Sequence, residues 1–208
     1  MKEDFLRPPR TLTEWSADIL RALGIIGVGF ALIWLAPTDA GIAALALPAL
    51  MLPRVLGLRG SFDLVVCSTV LVAAWSNVFD LYRTVPGWDL LLHLVCTGVL
   101  TIITALILTR ADVVTMTRDR GAPPRTPLVL APLLALALSA MWEMVEWLGW
   151  AYLSDEIFVT YQDTIGDMVF GGIGGIAAGV ILATASLNRA HSRSEFGEST
   201  NGSRAGGT

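Results

Sequence analysis

The chain has 208 residues, of which 54% are hydrophobic and 15% charged, and its mean hydropathy is +0.63. A soluble domain carries about 25% charged residues, and a globule of this size cannot bury such an apolar surplus because much of its surface stays wet. The formal net charge of −4 also argues against a nucleic-acid partner, whose phosphates attract basic surfaces. These numbers exclude a soluble enzyme, a nucleic-acid-binding protein and a disordered chain, and they indicate an integral membrane protein.

Six apolar stretches are long enough to cross a bilayer as helices, which takes about 20 residues each. The predicted fold is therefore an all-α, polytopic membrane bundle of six transmembrane helices. Pro48 and Pro53 interrupt the second stretch, where a kinked or partly re-entrant segment stays open as an alternative. In chain order the predicted spans are 18–36, 40–58, 62–81, 88–109, 127–152 and 163–187.

The basic residues predict how the bundle is oriented. Loops that stay cytoplasmic are enriched in Lys and Arg, and Arg83 alone of the 14 Lys and Arg lies in the first, third or fifth loop. We therefore expect both termini to be cytoplasmic. The predicted organisation is a cytoplasmic arm (1–17), a six-helix transmembrane domain (18–187) and a disordered cytoplasmic tail (188–208) rich in Gly, Ser and Arg.

Ionisable residues inside the predicted spans concentrate toward the outer ends of four helices. Charges within a membrane are costly, so each one is a hypothesis for a functional site. At a rise of about 1.5 Å per residue, His93 lies roughly 7 Å below Trp88. Asp63, at the inner start of the third span, is interpreted as a capping residue, and we expect no second polar cluster in the inner half. The outer polar residues are Asn77 and Asp80, Asp89 and His93, Glu143 and Glu146, and Asp163 and Asp167.

The spacing of these residues predicts that they face one another. Within the fourth, fifth and sixth spans the members of each pair are three or four residues apart and therefore share one helix face, which we expect to point into the bundle. The outer polar residues include six carboxylates, and the cations near them are Arg83 and His93. At low dielectric these carboxylates cannot all stay ionised. A positive species has to enter: protons, a metal ion or a cationic substrate group.

The residue types favour a metal ion. Carboxylates with one imidazole suit Mg²⁺, Mn²⁺, Ca²⁺ or Zn²⁺, and the predicted ligands are His93, Glu143, Glu146 and Asp167. Two other interpretations stay open, namely proton-sharing carboxylates of a coupled transporter and hydrogen-bonded polar residues of a non-catalytic scaffold.

The remaining polar residues are candidates for catalysis and substrate binding. Asp163 and Asp89 are the candidate general bases, although both also stand where a carboxylate complements a helix dipole. Arg83, with Asn77 and Asp80, is the predicted binding site for an anionic head group. Because this site would lie just below the membrane surface, we expect an amphiphilic substrate.

Small residues follow the acidic ones along two spans. Gly171, Gly175 and Gly179 continue one face of the sixth span, and Thr97 and Thr101 continue the fourth. Small residues at every fourth position let membrane helices approach closely, so we expect the fourth and sixth helices to pack together along these faces.

Three motifs stand out along residues 62–187. They are Tyr82, Trp88, Asp89 and His93; Trp142-Glu143-Met144-Val145-Glu146-Trp147; and Asp163-Thr164-Ile165-Gly166-Asp167 with the glycines that follow. Together they resemble the YjdF-type inner-membrane protein family. A weaker similarity extends to VanZ-like membrane proteins, from whose pattern Glu146 and Gly171 depart. The resemblance implies a small, multi-pass protein of the bacterial plasma (inner) membrane and, through the VanZ-like proteins, chemistry on outer-leaflet lipids or lipid-linked envelope substrates.

Overall fold

The computed structural model describes residues 5–154, 157 and 159–189. Within them the chain forms no strand and has six helices long and apolar enough to span a membrane, which confirms the predicted all-α bundle. A four-residue helix, Leu81–Thr84, and a single 3₁₀ turn, Arg118–Arg120, lie in the connections. The spanning helices are α1 (Leu12–Trp34), α2 (Pro37–Val55), α3 (Gly60–Val78), α4 (Trp88–Arg110), α5 (Arg125–Tyr152) and α6 (Tyr161–Thr184).

Side-chain caps set the beginnings of two helices. The hydroxyl of Thr11 accepts from the backbone N–H of Glu14 at 3.3 Å, and the hydroxyl of Thr160 accepts from that of Asp163 at 3.3 Å. Threonine caps satisfy backbone donors that the first helical turn leaves unpaired. Because Thr11 is a cap, α1 begins at Leu12, six residues before the first predicted span.

α2 is one continuous helix through both of its internal prolines. Pro48 and Pro53 each remove a backbone donor, yet the helix runs from Pro37 to Val55. The predicted stretch 40–58 is therefore one helix up to Val55, and residues 56–58 form the connection that follows.

The six helices form two groups of three. α1, α2 and α3 pack against one another, while α6 packs extensively against both α4 and α5, and α3 contacts α4. Consecutive helices joined by short connections run antiparallel, so α1, α3 and α5 finish where α2, α4 and α6 begin. We call this the site end of the bundle. The largest apolar core lies toward the opposite end, where Leu58, Met116 and Leu187 from the connections pack with α4 and α6.

α4 and α6 pack together as predicted, but through other glycines. A Cβ added to Gly174 would overlap the carbonyl oxygen of Leu94, and one added to Gly98 would lie 3.0 Å from the carbonyl oxygen of Gly174. The backbones of α4 and α6 therefore touch at Gly98 and Gly174.

The predicted glycine stripe mainly faces α5 instead of α4. A Cβ on Gly175 would overlap the side chain of Ala135, and one on Gly179 would lie 2.8 Å from the carbonyl oxygen of Pro127. Only Gly171 lies near both neighbours. α6 is inserted between α4 and α5, so it needs small residues on two faces.

The beginning of the predicted tail is held in place by contacts. Asn188 pairs with Leu58 in an isolated bridge, and the guanidinium of Arg189 lies 3.1 Å from the carboxylate of Glu14. The predicted disorder of residues 190–208 lies outside the described residues.

Candidate functional site

Four side chains from three helices converge at the site end of the bundle. His93 comes from α4, Glu143 and Glu146 from α5, and Asp167 from α6, and one nitrogen or oxygen atom from each lies within 4.8 Å of those of the other three. His93, Glu143 and Asp167 are only 8%, 7% and 1% exposed. We call these four residues the histidine group. They are the four predicted metal ligands, and the structure brings them together.

His93 lies among carboxylates without being hydrogen-bonded to them. Its Nε2 is 3.6 Å from Asp89 Oδ1 and 3.7 Å from Asp167 Oδ2, and its Nδ1 is 4.0 Å from Glu143 Oε1. Direct hydrogen bonds are shorter, at about 2.7–3.2 Å. Two ligands on one tetrahedral ion, each about 2.1 Å from it, are separated by roughly 3.4 Å, and the two distances from Nε2 are close to that value.

Several carboxylate oxygens at this site are buried without a partner. Both oxygens of Asp167 and Oε1 of Glu143 make no hydrogen bond to the described residues. Buried polar atoms nearly always have a partner, because an unpaired one loses its hydration without compensation. The site therefore presents acceptors for a positively charged ligand.

A second group of acids adjoins the first. One oxygen each from Asp89, Asp163 and Asp167 lies within 4.8 Å of the other two, and Asp89 is about a third exposed. We call these three residues the aspartate group. The two predicted general bases thus lie beside the predicted metal ligands, and Asp167 belongs to both groups.

The predicted substrate-binding residues lie at the same end, but outside both groups. Asn77 donates a hydrogen bond to Asp39 at 2.7 Å. The side chains of Asp80 and Arg83, each 60% exposed, lie 4.0 Å apart. They occupy the exposed connection between α3 and α4 rather than the buried cluster.

A further cluster of charges is buried toward the opposite end, and the prediction that no such cluster exists is wrong. Arg21 is 5% exposed and Asp63 is 1% exposed, and the two side chains form an ion pair. Asp63 therefore pairs with a cation rather than serving as a cap. Asp18 joins the network through Arg21 at 2.7 Å and Arg54 at 2.6 Å. The available signal was a pair of opposite charges, at positions 21 and 63, inside two predicted spans.

Comparison with known proteins identifies one family. The family model described as "Predicted membrane protein (DUF2238)" matches residues 17–188, which include the histidine group, the aspartate group and all of α2 to α6. YjdF-type proteins are members of this family, so the resemblance found in the sequence is confirmed. No curated protein and no solved structure matches the chain.

Proposed function

Because the chain belongs to the DUF2238 family of predicted membrane proteins, we propose that it is a metal-dependent membrane enzyme acting on an amphiphilic or lipid-linked substrate. The observation that carries this proposal is the environment of Asp167. This carboxylate is 1% exposed, and neither of its oxygens has a hydrogen-bond partner among the described residues. Its nearest charged neighbours include the imidazole of His93 and further acids.

A divalent cation would resolve this electrostatic problem. Several carboxylates in a low-dielectric interior repel one another. In addition, the desolvation of each unpaired buried charge costs several kcal/mol. His93, Glu143, Glu146 and Asp167 offer one imidazole and three carboxylates, a donor set suited to Mg²⁺, Mn²⁺, Ca²⁺ or Zn²⁺. Such an ion polarises a phosphoryl or acyl oxygen or lowers the pKa of a bound water.

The chain supplies further groups for catalysis beside these ligands. Asp89 and Asp163 lie next to Asp167. Because Asp89 is partly exposed, the buried ligands can be reached from the site end through this residue. A carboxylate in this position can take a proton from an attacking water or hydroxyl. Arg83, whose side chain is 60% exposed on the connection between α3 and α4, is placed to attract an anionic head group.

Exposed tryptophans on α5 support an amphiphilic substrate. Trp142, Trp147 and Trp150 are 43%, 48% and 44% exposed and lie in the last turns of the helix, on both sides of the acids. Indole rings concentrate where the hydrocarbon core meets the lipid head groups. A site at this depth is reached most directly by the head group of a lipid-like molecule.

Cation- or proton-coupled transport is the second candidate, because buried hydroxyls continue from the cluster into the bundle. Thr97, Ser139 and Thr101 are 7%, 1% and 0% exposed, and the Thr101 hydroxyl has no partner among the described residues. Beyond Thr101, however, α4 continues with Ile102 and Leu106, which belong to the apolar core and offer no polar group to a moving ion. A cation-driven flux in proteoliposomes that Asp167→Asn abolishes would favour transport over catalysis.

Turnover in lipid nanodiscs tests the proposed enzyme. The parent protein is screened against diacyl phosphates and esters with Mn²⁺, Mg²⁺, Ca²⁺ or Zn²⁺, and any turnover is repeated with a chelator. Removing a side chain that only hydrogen-bonds to a metal ligand reduces activity about 10- to 100-fold. Glu143 is itself a proposed ligand, so we expect Glu143→Gln to reduce turnover by at least about 100-fold. Asp39→Asn, which alters an acid of the site end outside both groups, should retain activity. Turnover that survives both the chelator and Glu143→Gln would contradict the proposal.

A further inference from the structure

The histidine group and the aspartate group meet at one residue, Asp167. Resting on the metal-dependent function proposed above, we infer that the site holds two divalent cations bridged by the Asp167 carboxylate. One cation would be bound by the histidine group and the other by the aspartate group.

The two oxygens of Asp167 support a bridging role. A carboxylate that binds a single ion through one oxygen leaves the second oxygen to a hydrogen-bond donor, as ligating carboxylates in proteins normally do. Here Oδ1 and Oδ2 are both buried and both lack a partner among the described residues. Oδ2 lies 3.7 Å from His93 Nε2, in the histidine group. A bridge uses both oxygens, one for each cation.

The balance of charge also favours two divalent cations over one. The two groups together contain five carboxylates and one imidazole. With the imidazole neutral, one divalent ion would leave three negative charges uncompensated, whereas two would leave one. In a medium of low dielectric this difference is large, because like charges a few ångströms apart repel one another strongly even at an effective dielectric constant of about 20.

The two groups differ in their access to solvent. Three of the four ligands in the histidine group are at most 8% exposed, so this cation would be enclosed by protein. Asp89 of the aspartate group is 30% exposed, which leaves open coordination positions for water or substrate. The more open cation would therefore be the one that contacts the substrate, and Asp89 and Asp163 would act as ligands rather than as general bases. Pairs of ions about 3.5–4 Å apart stabilise the attacking and leaving oxygens in phosphoryl and acyl transfer.

Manganese binding to the chelator-stripped, full-length protein in detergent tests this inference. Equilibrium dialysis gives the number of Mn²⁺ ions per chain, and electron paramagnetic resonance shows whether two ions are magnetically coupled. We expect two Mn²⁺ per chain with a coupled signal in the parent. Asp163→Asn should bind one Mn²⁺ with an uncoupled six-line signal. If Asp163→Asn does not fold, Asp89→Asn provides the same test. Asp39→Asn, the matched control, should bind two.

The outcomes separate the failure of this inference from the failure of the proposed function. One uncoupled Mn²⁺ in the parent would overturn the two-cation site and leave a metal-dependent enzyme standing. Two uncoupled ions, both retained in folded Asp163→Asn and Asp89→Asn, would also overturn it, because the second ion would then bind elsewhere. No binding of Mn²⁺, Mg²⁺, Ca²⁺ or Zn²⁺ would overturn both.

Discussion

Asp63 and Asp167 are both acids of 1% exposure inside the bundle, yet their surroundings differ. Asp63 is paired with the guanidinium of Arg21, which also donates to the carbonyl oxygen of Leu50 at 2.9 Å. Asp167 has acids and an imidazole as its neighbours, and both of its oxygens lack partners among the described residues. The chain thus supplies the counter-ion of Asp63 itself, whereas the proposed function assigns Asp167 a cation from outside.

This difference leads to a prediction for the Arg21–Asp63 pair. Arg21→Met leaves Asp63 as an unpaired buried carboxylate, which should destabilise the protein by about 3–5 kcal/mol. The double variant Arg21→Met/Asp63→Leu removes both charges and should recover most of that loss. Unfolding in detergent, followed by circular dichroism, measures each free energy.

The exposed pair Asp80–Arg83 provides the control for this experiment. Its side chains are 60% exposed and 4.0 Å apart, and exposed ion pairs contribute about 0–1 kcal/mol. Arg83→Met should therefore change stability little. Equal losses in Arg21→Met and in the double variant would show that the packing of Arg21, rather than its charge, stabilises the bundle.

At this scale the sequence predicts which side chains converge in the histidine and aspartate groups, but it misses the inner ion pair. Spacings of three and four residues place Glu143 with Glu146 and Asp89 with His93 on common helix faces. Because charged faces are costly next to lipid, these faces have to point into the bundle. The rule that predicts the orientation treats Arg21 as one of the Lys and Arg residues on the cytoplasmic side. A long side chain can bury its stem and reach a partner several ångströms along the helix, so the sequence position of Arg21 did not reveal where its charge lies.

Among the helices, α6 holds the site together because it touches both other site-bearing helices. It presents Asp167 near its beginning and glycines on two faces farther along. The sequence revealed one glycine stripe but not which neighbour it faces, since small residues permit close approach without choosing a partner. Gly174, which lies off that stripe, makes the backbone contact with α4.

A methyl group at this contact should separate α4 from α6. A Cβ at Gly174 would overlap backbone rather than a flexible side chain, and overpacking of this kind costs about 1–3 kcal/mol. We therefore expect Gly174→Ala to lower the melting temperature. It should also weaken divalent-cation binding, because His93 and Asp167 are carried by the two helices that would move apart.

Gly29→Ala is the matched control on α1. A Cβ there would have nothing within 4 Å, and alanine is the better helix former by about 1 kcal/mol. This variant should be neutral or slightly stabilising. A Gly174→Ala protein as stable as Gly29→Ala would show that α4 and α6 are not in backbone contact at this point.

The whole molecule divides into a supporting group, α1 to α3, and a site-bearing group, α4 to α6. Composition and the lengths of the apolar runs were sufficient to predict six spanning helices, because a bilayer fixes how long such a helix must be. They were not sufficient to locate the helix ends, which depend on caps such as Thr11. The orientation with both termini in the cytoplasm stays a prediction from the distribution of Lys and Arg.

Cysteine labelling tests that orientation. In a background of Cys67→Ala and Cys96→Ala, Val85→Cys places a thiol at the site end and Ala111→Cys places one at the opposite end. A membrane-impermeant maleimide should label Val85→Cys in intact cells and Ala111→Cys only after the membrane is opened. The reverse pattern would place the site on the cytoplasmic side and exclude an outward-facing substrate.

Elemental analysis of the protein purified without added metal tests whether the cluster around Asp167 binds divalent cations. The parent and Asp167→Asn are compared after size-exclusion chromatography and a melting curve have shown that both are folded. We predict near-stoichiometric or higher divalent metal in the parent and its loss in the variant, which keeps the size of the side chain but removes its charge. A parent protein that is free of metal, and that stays so after incubation with Mg²⁺, Mn²⁺, Ca²⁺ and Zn²⁺, would show that the cluster is not a divalent-cation site.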